Sequence, residues 1–472
     1  MIPKISKITE LKQNFTTAVL INTPAQIPES LFSVADRDFI TERLKIGEDC
    51  LIHRHPNVLF IHKIGEGTIS EQSEDIRRSG SRFFDLLKSE KIRFAQLTSY
   101  SNRNFLPDFI EGLLLSGYNF SKYKKEKDEF NIEEIYVPGE MINDDVTCEL
   151  QIIAESVFKA RDLINEPLSY LTAEQFSEEI KRMGSEAGFG VEIFHKKKIQ
   201  ALRMGGLLAV NRGSPDPPTF SILEWKPDEA KNKKPVVLIG KGIVFDTGGL
   251  SLKPTPKSMD YMKSDMSGGA VVAAVIYAAA KCKLPFHVIG LIPATDNRPD
   301  GNAYVPGDII TMYDGTTVEI KNTDAEGRLI LADALSYAKK YEPALVIDIA
   351  TLTGSAVMIT GPHGVVAMGN SRDNLEKIRK AGEETFERIV ELPLWKEFAK
   401  ALKSPVADLN NLGEREGQTS IAGKFLEHFT DYPWMHLDIA GVAFLHEKSF
   451  YNPAGGTGIG TRLLYNFLKK IN

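Results

Sequence analysis

The sequence predicts an α/β protein in two parts: a smaller N-terminal α/β domain, and a larger C-terminal α/β domain with a central mixed β-sheet flanked by helices. Three observations predict it. Short β-branched runs alternate with helically spaced stretches along the chain. In the second part several of those runs are apolar throughout, as expected of strands covered on both faces. The pair Asp314-Gly315, between Ile309-Ile310-Thr311-Met312 and Thr317-Val318-Glu319-Ile320, is a hairpin signal, which makes the sheet mixed rather than purely parallel.

Taken in order, Thr16 to Ile21 and Val58 to Ile61 read as strands, and Glu71 to Leu87 and Phe105 to Leu115 carry helical spacing. A charged stretch, 122–129, precedes a further strand from Ile132 to Val137, the turn pair Pro138-Gly139, and a helix from about Asp145 to Ile164. These readings divide the chain into an N-terminal domain at 1–144, a connecting helix at 145–164 and a C-terminal domain at 165–472. In the last, Val236 to Ile239, Val288 to Ile292 and Leu345 to Ile349 are the apolar strands, and the Ala-rich segments Ala270 to Lys281 and Leu329 to Lys340 are the helices between them. The lysine clusters at 196–198 and 231–234 read as solvated surface.

Composition excludes several classes. With 42% hydrophobic and 25% charged residues, the 472-residue chain has the make-up of an ordinary globular protein. A net charge of −6 gives no general attraction to nucleic acid or to an anionic membrane. No apolar stretch reaches the roughly 20 residues that span a bilayer; Gly268 to Ala280 is too short. Three scattered cysteines, Cys50, Cys148 and Cys282, argue against a disulfide framework. The first residues lack the apolar core of a signal peptide, so a cytoplasmic location is expected.

The chemistry concentrates between Gly240 and Arg328. If the segment before Leu329 is extended, Asp324 and Glu326 point to one side, and two converging carboxylates repel unless a cation or shared proton lies between them. With Asp246 and Asp265 they form a four-carboxylate set without the histidines or cysteines of a soft-metal site. Such oxygen-rich ligation suits divalent Mg²⁺, Mn²⁺ or Zn²⁺, and this much negative charge favours two ions over one.

The eight residues Asn322-Thr323-Asp324-Ala325-Glu326-Gly327-Arg328-Leu329 match the signature of the leucine aminopeptidase (cytosol aminopeptidase) family letter for letter. The block from Lys241 to Asp265, the segments 348–354 and 434–441, and the closing Gly456-Thr457-Gly458-Ile459-Gly460 resemble that family as well, so the likeness runs from about Asn165 onward. It implies an enzyme that releases N-terminal amino acids from peptides, with an apolar residue such as Leu preferred. By this resemblance Lys241, Asp246, Asp265 and Glu326 hold one metal, while Asp246, Asp324 (side chain and main-chain carbonyl) and Glu326 hold a second, exchangeable one. A neutral Lys241 is then required, its pKa depressed by the metal. Two metals about 3.5–4 Å apart activate a shared hydroxide, and one can bind the substrate's free α-amine, which accounts for exopeptidase action. Lys253 matches the residue that stabilises the developing oxyanion, and Arg328 the arginine that holds a bicarbonate proton shuttle. Met262, Thr351, Gly354 and Ala440 match positions lining the side-chain pocket. The metals implied are Mn²⁺ or Zn²⁺, with Mg²⁺ or Co²⁺ as alternatives, and the assembly implied is a homohexamer.

Departures from the family pattern are small: Val244 for Thr, Thr247 for Ser, Gly269 for Ala and Ser355 for Ala. Other hydrolase readings fail. Phe245-Asp246-Thr247-Gly248 resembles half of an aspartic-protease site, but no second Asp-Thr/Ser-Gly occurs, and Gly-x-Ser-x-Gly, His-Glu-x-x-His and the phosphate-binding loop pattern are absent. His436 reads as a buried, hydrogen-bonded residue rather than a catalytic one. Two alternatives remain in view: a DNA-binding architectural or regulatory protein that retains a peptidase core, and a narrower dipeptidase of the Cys-Gly type.

Overall fold

The computed structural model describes residues 2–28, 32–126 and 130–471, so the end of the charged stretch, 127–129, lies outside the described residues. The chain forms two compact units, Met1–Phe158 with Glu447–Ala454, and Lys159–His446 with Gly455–Asn472. The division falls inside one helix, Asp144–Asn165.

In the first unit, six strands run in the order Lys4–Ile8, Glu134–Pro138, Phe94–Ser99, Thr17–Ile21, Asn57–Lys63, Asp49–Arg54. All neighbours pair in parallel except the last, an antiparallel edge. The helix Ile69–Ser89 starts where Thr68 and Glu71 cap each other: Thr68 Oγ1 accepts from Glu71 N at 3.3 Å, and Glu71 Oε2 accepts from Thr68 N at 2.9 Å. It and Leu106–Ser116 bury Phe83, Leu87, Phe109 and Leu113 in this unit's main core.

The second unit is built on a larger sheet, ordered Ile389–Glu391, Val365–Gly369, Trp434–Asp438, Leu345–Ala350, Val236–Gly240, Val288–Asn297, Thr219–Trp225, Gly190–His195, with Gly242–Asp246 also paired to Val288–Asn297. The three strands expected at its centre are buried along their whole length. This sheet is mixed, but not for the reason the sequence suggested. The hairpin Ile309–Thr311/Thr317–Glu319 forms as expected, yet it joins Leu409–Asn410 in a separate three-stranded sheet. Antiparallel pairing in the main sheet comes instead from Thr219–Trp225 against Val288–Asn297, Gly190–His195 against Thr219–Trp225, and Val365–Gly369 against Trp434–Asp438. Turn chemistry specifies a hairpin locally but does not say which sheet receives it.

The helix Ser267–Lys281 is buried at every residue but the last. It lies so close to the sheet that a Cβ on Gly268 would sit 2.0 Å from Ile349 O, and one on Gly240 2.5 Å from Gly268 O. This approach fixes where Gly240, at its strand's end, and Ile349, one residue short of its strand's end, stand relative to the helix start, and hence to Asp265 just before it. Gly268→Ala is expected to force these elements apart and lower stability by about 1–3 kcal/mol or more, read as a drop in thermal midpoint.

The second buried helix, Gly327–Ala338, is anchored by Asp333, whose Oδ2 accepts from Leu207 N and Oδ1 from Tyr313 N, each at 2.9 Å. Burial pushes the Asp333 carboxyl up to about 7 despite these bonds. A carboxyl whose folded pKa is raised contributes stability that is complete below its unfolded pKa of about 3.9 and is lost as pH rises through the folded value. Denaturant titrations between about pH 4 and 7 should therefore show a declining component that Asp333→Asn removes, although that variant is less stable overall for want of one backbone partner. An unchanged slope in the variant would assign the decline to other groups.

Candidate metal centre

The candidate residues come from separate elements that meet at the ends of the central strands. Lys241 lies between the strands Val236–Gly240 and Gly242–Asp246; its backbone N donates to Ile349 O at 3.1 Å and its carbonyl accepts from Gly269 N at 2.8 Å. Asp246 ends the second of those strands. Asp265 lies on the 3-10 helix Met259–Met266, which leads directly into Ser267–Lys281. Asp324 and Glu326 lie ahead of Gly327–Ala338.

The segment holding the last two is a turn, not the extended run expected. Glu326 already has helical dihedrals, φ −76° and ψ −38°, and Asp324 N donates to Asn322 Oδ1 at 2.7 Å. Alternation along a strand therefore does not bring the two acids together; external latches on the turn do. Thr323 Oγ1 donates to Gly248 O at 2.6 Å and accepts from Ser251 N at 2.8 Å, while Asn411 accepts from Lys321 N and donates to Asn322 O, both at 2.7 Å.

Asp246, Asp265 and Glu326 each present a carboxylate oxygen within 4.8 Å of the others, and all three are buried. Two ammonium groups are set among them. Lys241 Nζ lies 2.8 Å from Asp265 Oδ2 and 2.8 Å from Glu326 Oε1, and donates to Thr351 O at 2.9 Å. Its stem passes over Gly327, where a Cβ would stand 2.6 Å from Lys241 Cε. Lys253 Nζ is 3.0 Å from Asp246 Oδ2 and also pairs with Asp324 Oδ1.

Electrostatics follow from this packing. Burial alone would lower both lysine pKa values, but the facing carboxylates more than reverse it: Asp265, Glu326 and Asp246 at Lys241, and Asp246, Glu326 and Asp324 at Lys253. Both stay charged well above neutrality. Burial raises Asp246, helped by Glu326, and lifts Asp265 well above its ordinary value in spite of Lys241. Asp324 is pushed up to about 7 by burial and by its neighbours Asp246 and Glu326. Burial also opposes ionisation of Glu326, but the two lysines outweigh it and hold the pKa low.

Glu326 Oε2 is buried with no hydrogen-bond partner among the described residues. A buried carboxylate oxygen left unbonded beside three other acids is a misfit in the metal-free chain and a ready ligand for a hard cation. The donor set, four carboxylates and one amine, fits a divalent metal. Arg328 is buried and donates to Asn411 O at 2.9 Å, while its Nε finds no hydrogen-bond partner among the described residues; burial lowers its pKa to about 10.

The four expected pocket residues lie on segments tied to this cluster. Thr351 Oγ1 donates to Asp265 Oδ1 at 2.7 Å, and Met262 lies half-buried on the same 3-10 helix as Asp265. Asp438, which the sequence reading did not single out, accepts from Leu352 N, Thr353 N and Ala440 N at 3.1, 3.0 and 3.1 Å, so one buried carboxylate shapes both the Thr351–Gly354 loop and the Ala440 turn. Gly354 is exposed, with open space where a Cβ would be. His436 is fully buried, its Nδ1 2.5 Å from Asp348 Oδ1, as expected of a structural histidine.

Three of the four departures from the family pattern also find reasons, and Val244 has no structural explanation. Thr247 keeps the hydroxyl, which donates to Asn297 O at 2.8 Å, and Ser355 Oγ lies 2.6 Å from Thr419 Oγ1. A Cβ on Gly269 would stand 3.1 Å from the Phe176 ring and 2.9 Å from Ile292, so those side chains fill the space.

Buried carboxylates and lysines gathered at strand ends are the kind of donor set that a hydrolytic metal centre in an α/β enzyme requires. A family model described as "Cytosol aminopeptidase family, catalytic domain" matches residues 158–465. A probable cytosol aminopeptidase of Chlorobium phaeobacteroides is 46% identical over 409 residues, 83% of this chain and 78% of that one. Another, of Chlorobaculum tepidum, is 48% identical over 377 residues, 76% of this chain and 74% of that one. Among solved structures, the bottromycin maturation enzyme BotP in complex with Mn is similar with TM-score 0.84 and 30% identity, covering 96% of this chain and 98% of that one. A tomato leucine aminopeptidase mutant shares the fold, with TM-score 0.88 at 24% identity over 99% of this chain and 97% of that one. The chain belongs to the cytosol aminopeptidase family and is a metal-dependent aminopeptidase.

Removing Lys241 should expose the repulsion it offsets. In metal-free protein, Lys241→Met is expected to destabilise the catalytic unit by about 3–5 kcal/mol, the effect of leaving a buried ion pair without one partner, measured by denaturant unfolding. Stability equal to wild type would mean that the facing acids neutralise themselves by protonation.

Proposed function

We propose that this chain removes apolar N-terminal residues such as Leu from peptides at a two-metal centre, with Lys241, Asp246, Asp265 and Glu326 holding one ion and Asp246, Asp324 and Glu326 the other. The observation that carries the reading is the convergence of buried oxygens from Asp246, Asp265 and Glu326 within 4.8 Å. Manganese or zinc is the proposed pair, with Mg²⁺ or Co²⁺ able to substitute in an oxygen-rich site; the manganese bound by the BotP relative favours the first. When bound, the ions supply Lewis acidity toward a peptide carbonyl and bring the pKa of water toward neutrality.

The chain's own groups do the rest. Lys253 stays protonated through neutral pH and can turn from Asp246 and Asp324 to an oxygen gathering negative charge. Arg328, whose buried Nε has no hydrogen bond among the described residues, suits a small anion such as bicarbonate, which would carry the proton from water to the leaving amine. Lys241 can act as a ligand only by surrendering its proton, so metal uptake should release protons and weaken at low pH. Met262, Thr351, Gly354 and Ala440 are proposed to receive the N-terminal side chain. Residues 165–472 would form the catalytic domain, preceded by a connecting helix at 145–164 and an N-terminal domain at 1–144. A homohexamer and a cytoplasmic location are proposed from the family. Among the described residues no helix is long and apolar enough to cross a membrane. The relatives favour the peptidase over the DNA-binding reading.

Release of p-nitroaniline from leucine p-nitroanilide by metal-stripped protein should depend on added Mn²⁺ or Zn²⁺, and Glu326→Ala should lower it at least a thousandfold. No hydrolysis with any of the four metals, across several N-terminal residues, would sink the proposal.

A further inference from the structure

Asn297 ends the strand Val288–Asn297, opposite Asp246 in the parallel register, and is fully buried. Its Nδ2 donates twice, to Asp246 Oδ1 at 2.8 Å and to Thr323 O at 3.0 Å. Both neighbours are acceptors, so only the NH₂ side of the amide can face them, and its orientation is fixed by chemistry. Its backbone carbonyl accepts from Thr247 N at 3.0 Å and Thr247 Oγ1 at 2.8 Å, binding it to the chain just past Asp246. The Thr323 carbonyl is gripped a second time by the buried Tyr304, whose hydroxyl donates to it at 2.6 Å. That carbonyl belongs to the peptide unit leading into Asp324. Among the described residues the hydrogen bonds of Asn297 reach neither Lys241 nor Asp265.

We infer that Asn297, assisted by Tyr304, is a positioning residue for one metal site in particular. It orients Asp246, which is proposed for both ions, and the peptide of Asp324, which is proposed for the second ion alone, so its hold falls more heavily on the second ion. The inference rests on the ligand assignment under Proposed function. Partners of metal ligands commonly set affinity by ten- to a hundredfold, and here that effect falls unevenly on two neighbouring ions.

The test is Mn²⁺ titration by calorimetry with metal stoichiometry by mass spectrometry, on full-length wild type, Asn297→Ala, Asn297→Asp and Tyr304→Phe, with circular dichroism as the fold control. Asn297→Asp keeps the shape and exchanges the donor for an oxygen, so it serves if the alanine variant does not fold. Expected in the Asn297 variants are one ion at least tenfold weaker and the other weakened distinctly less, with a smaller loss of the same first-named ion in Tyr304→Phe. Two sites as tight as in wild type, or equal loss at both in a folded variant, would overturn the inference. A wild type that binds no Mn²⁺ would overturn the ligand assignment itself.

Discussion

Mutual repulsion among Asp246, Asp265, Asp324 and Glu326 is the constraint around which the catalytic unit is organised. Two unit charges 4 Å apart interact by about 4 kcal/mol at an effective dielectric of 20, and three of these four acids are buried. Left to themselves they would spread apart or take up protons. Lys241 and Lys253 keep them together, each spanning two carboxylates. Burial first, and the neighbouring acids after it, raise Asp265 and Asp324 in spite of the lysines.

Holding such a cluster needs elements that cannot relax, and the fold supplies them in two ways. The strands ending at Gly240, Asp246, Ala350 and Asn297 lie in one hydrogen-bonded sheet, with lateral positions fixed by register. Beneath the adjoining loop, Asp348 accepts from Trp434 Nε1 at 2.6 Å and pairs with His436, while Asp438 ties three backbone amides together. A buried acid that satisfies several donors specifies one loop geometry, because alternatives leave those donors unpaired.

What was legible in the sequence follows from range. The apolar runs of the central strands and the helical spacing from Glu71 to Leu87 are local signals, and the elements formed there, although the strand read as Val288 to Ile292 runs on to Asn297. The acids were legible as a group because they occur in two short blocks with distinctive neighbours. The shape of the Asn322–Glu326 segment was misread, since its path depends on Gly248, Ser251 and Asn411, distant in sequence. Asn297, Tyr304 and Asp438 escaped notice for the same reason: each acts mainly through partners 19 to 86 residues away. One signal was available for Asn297. The polar run Thr295-Asp296-Asn297 closes an apolar strand in the same sheet as the one ending at Asp246.

A lysine among the proposed ligands makes physical sense once the metal-free state is considered. A fifth carboxylate at position 241 would add repulsion to a site that must fold before it is loaded, and a neutral ligand would leave Asp265 and Glu326 without a counter-charge. An ammonium serves as the cation during folding and becomes an amine donor after losing one proton. The same side chain can therefore stabilise the cluster in both states, provided that loading drives the proton off. The buried Glu326 oxygen left without a hydrogen bond among the described residues marks what the lysines do not supply. Each ammonium is tethered to a backbone, whereas a free divalent ion could settle where the oxygens converge, which is what the proposed ligand set would offer it.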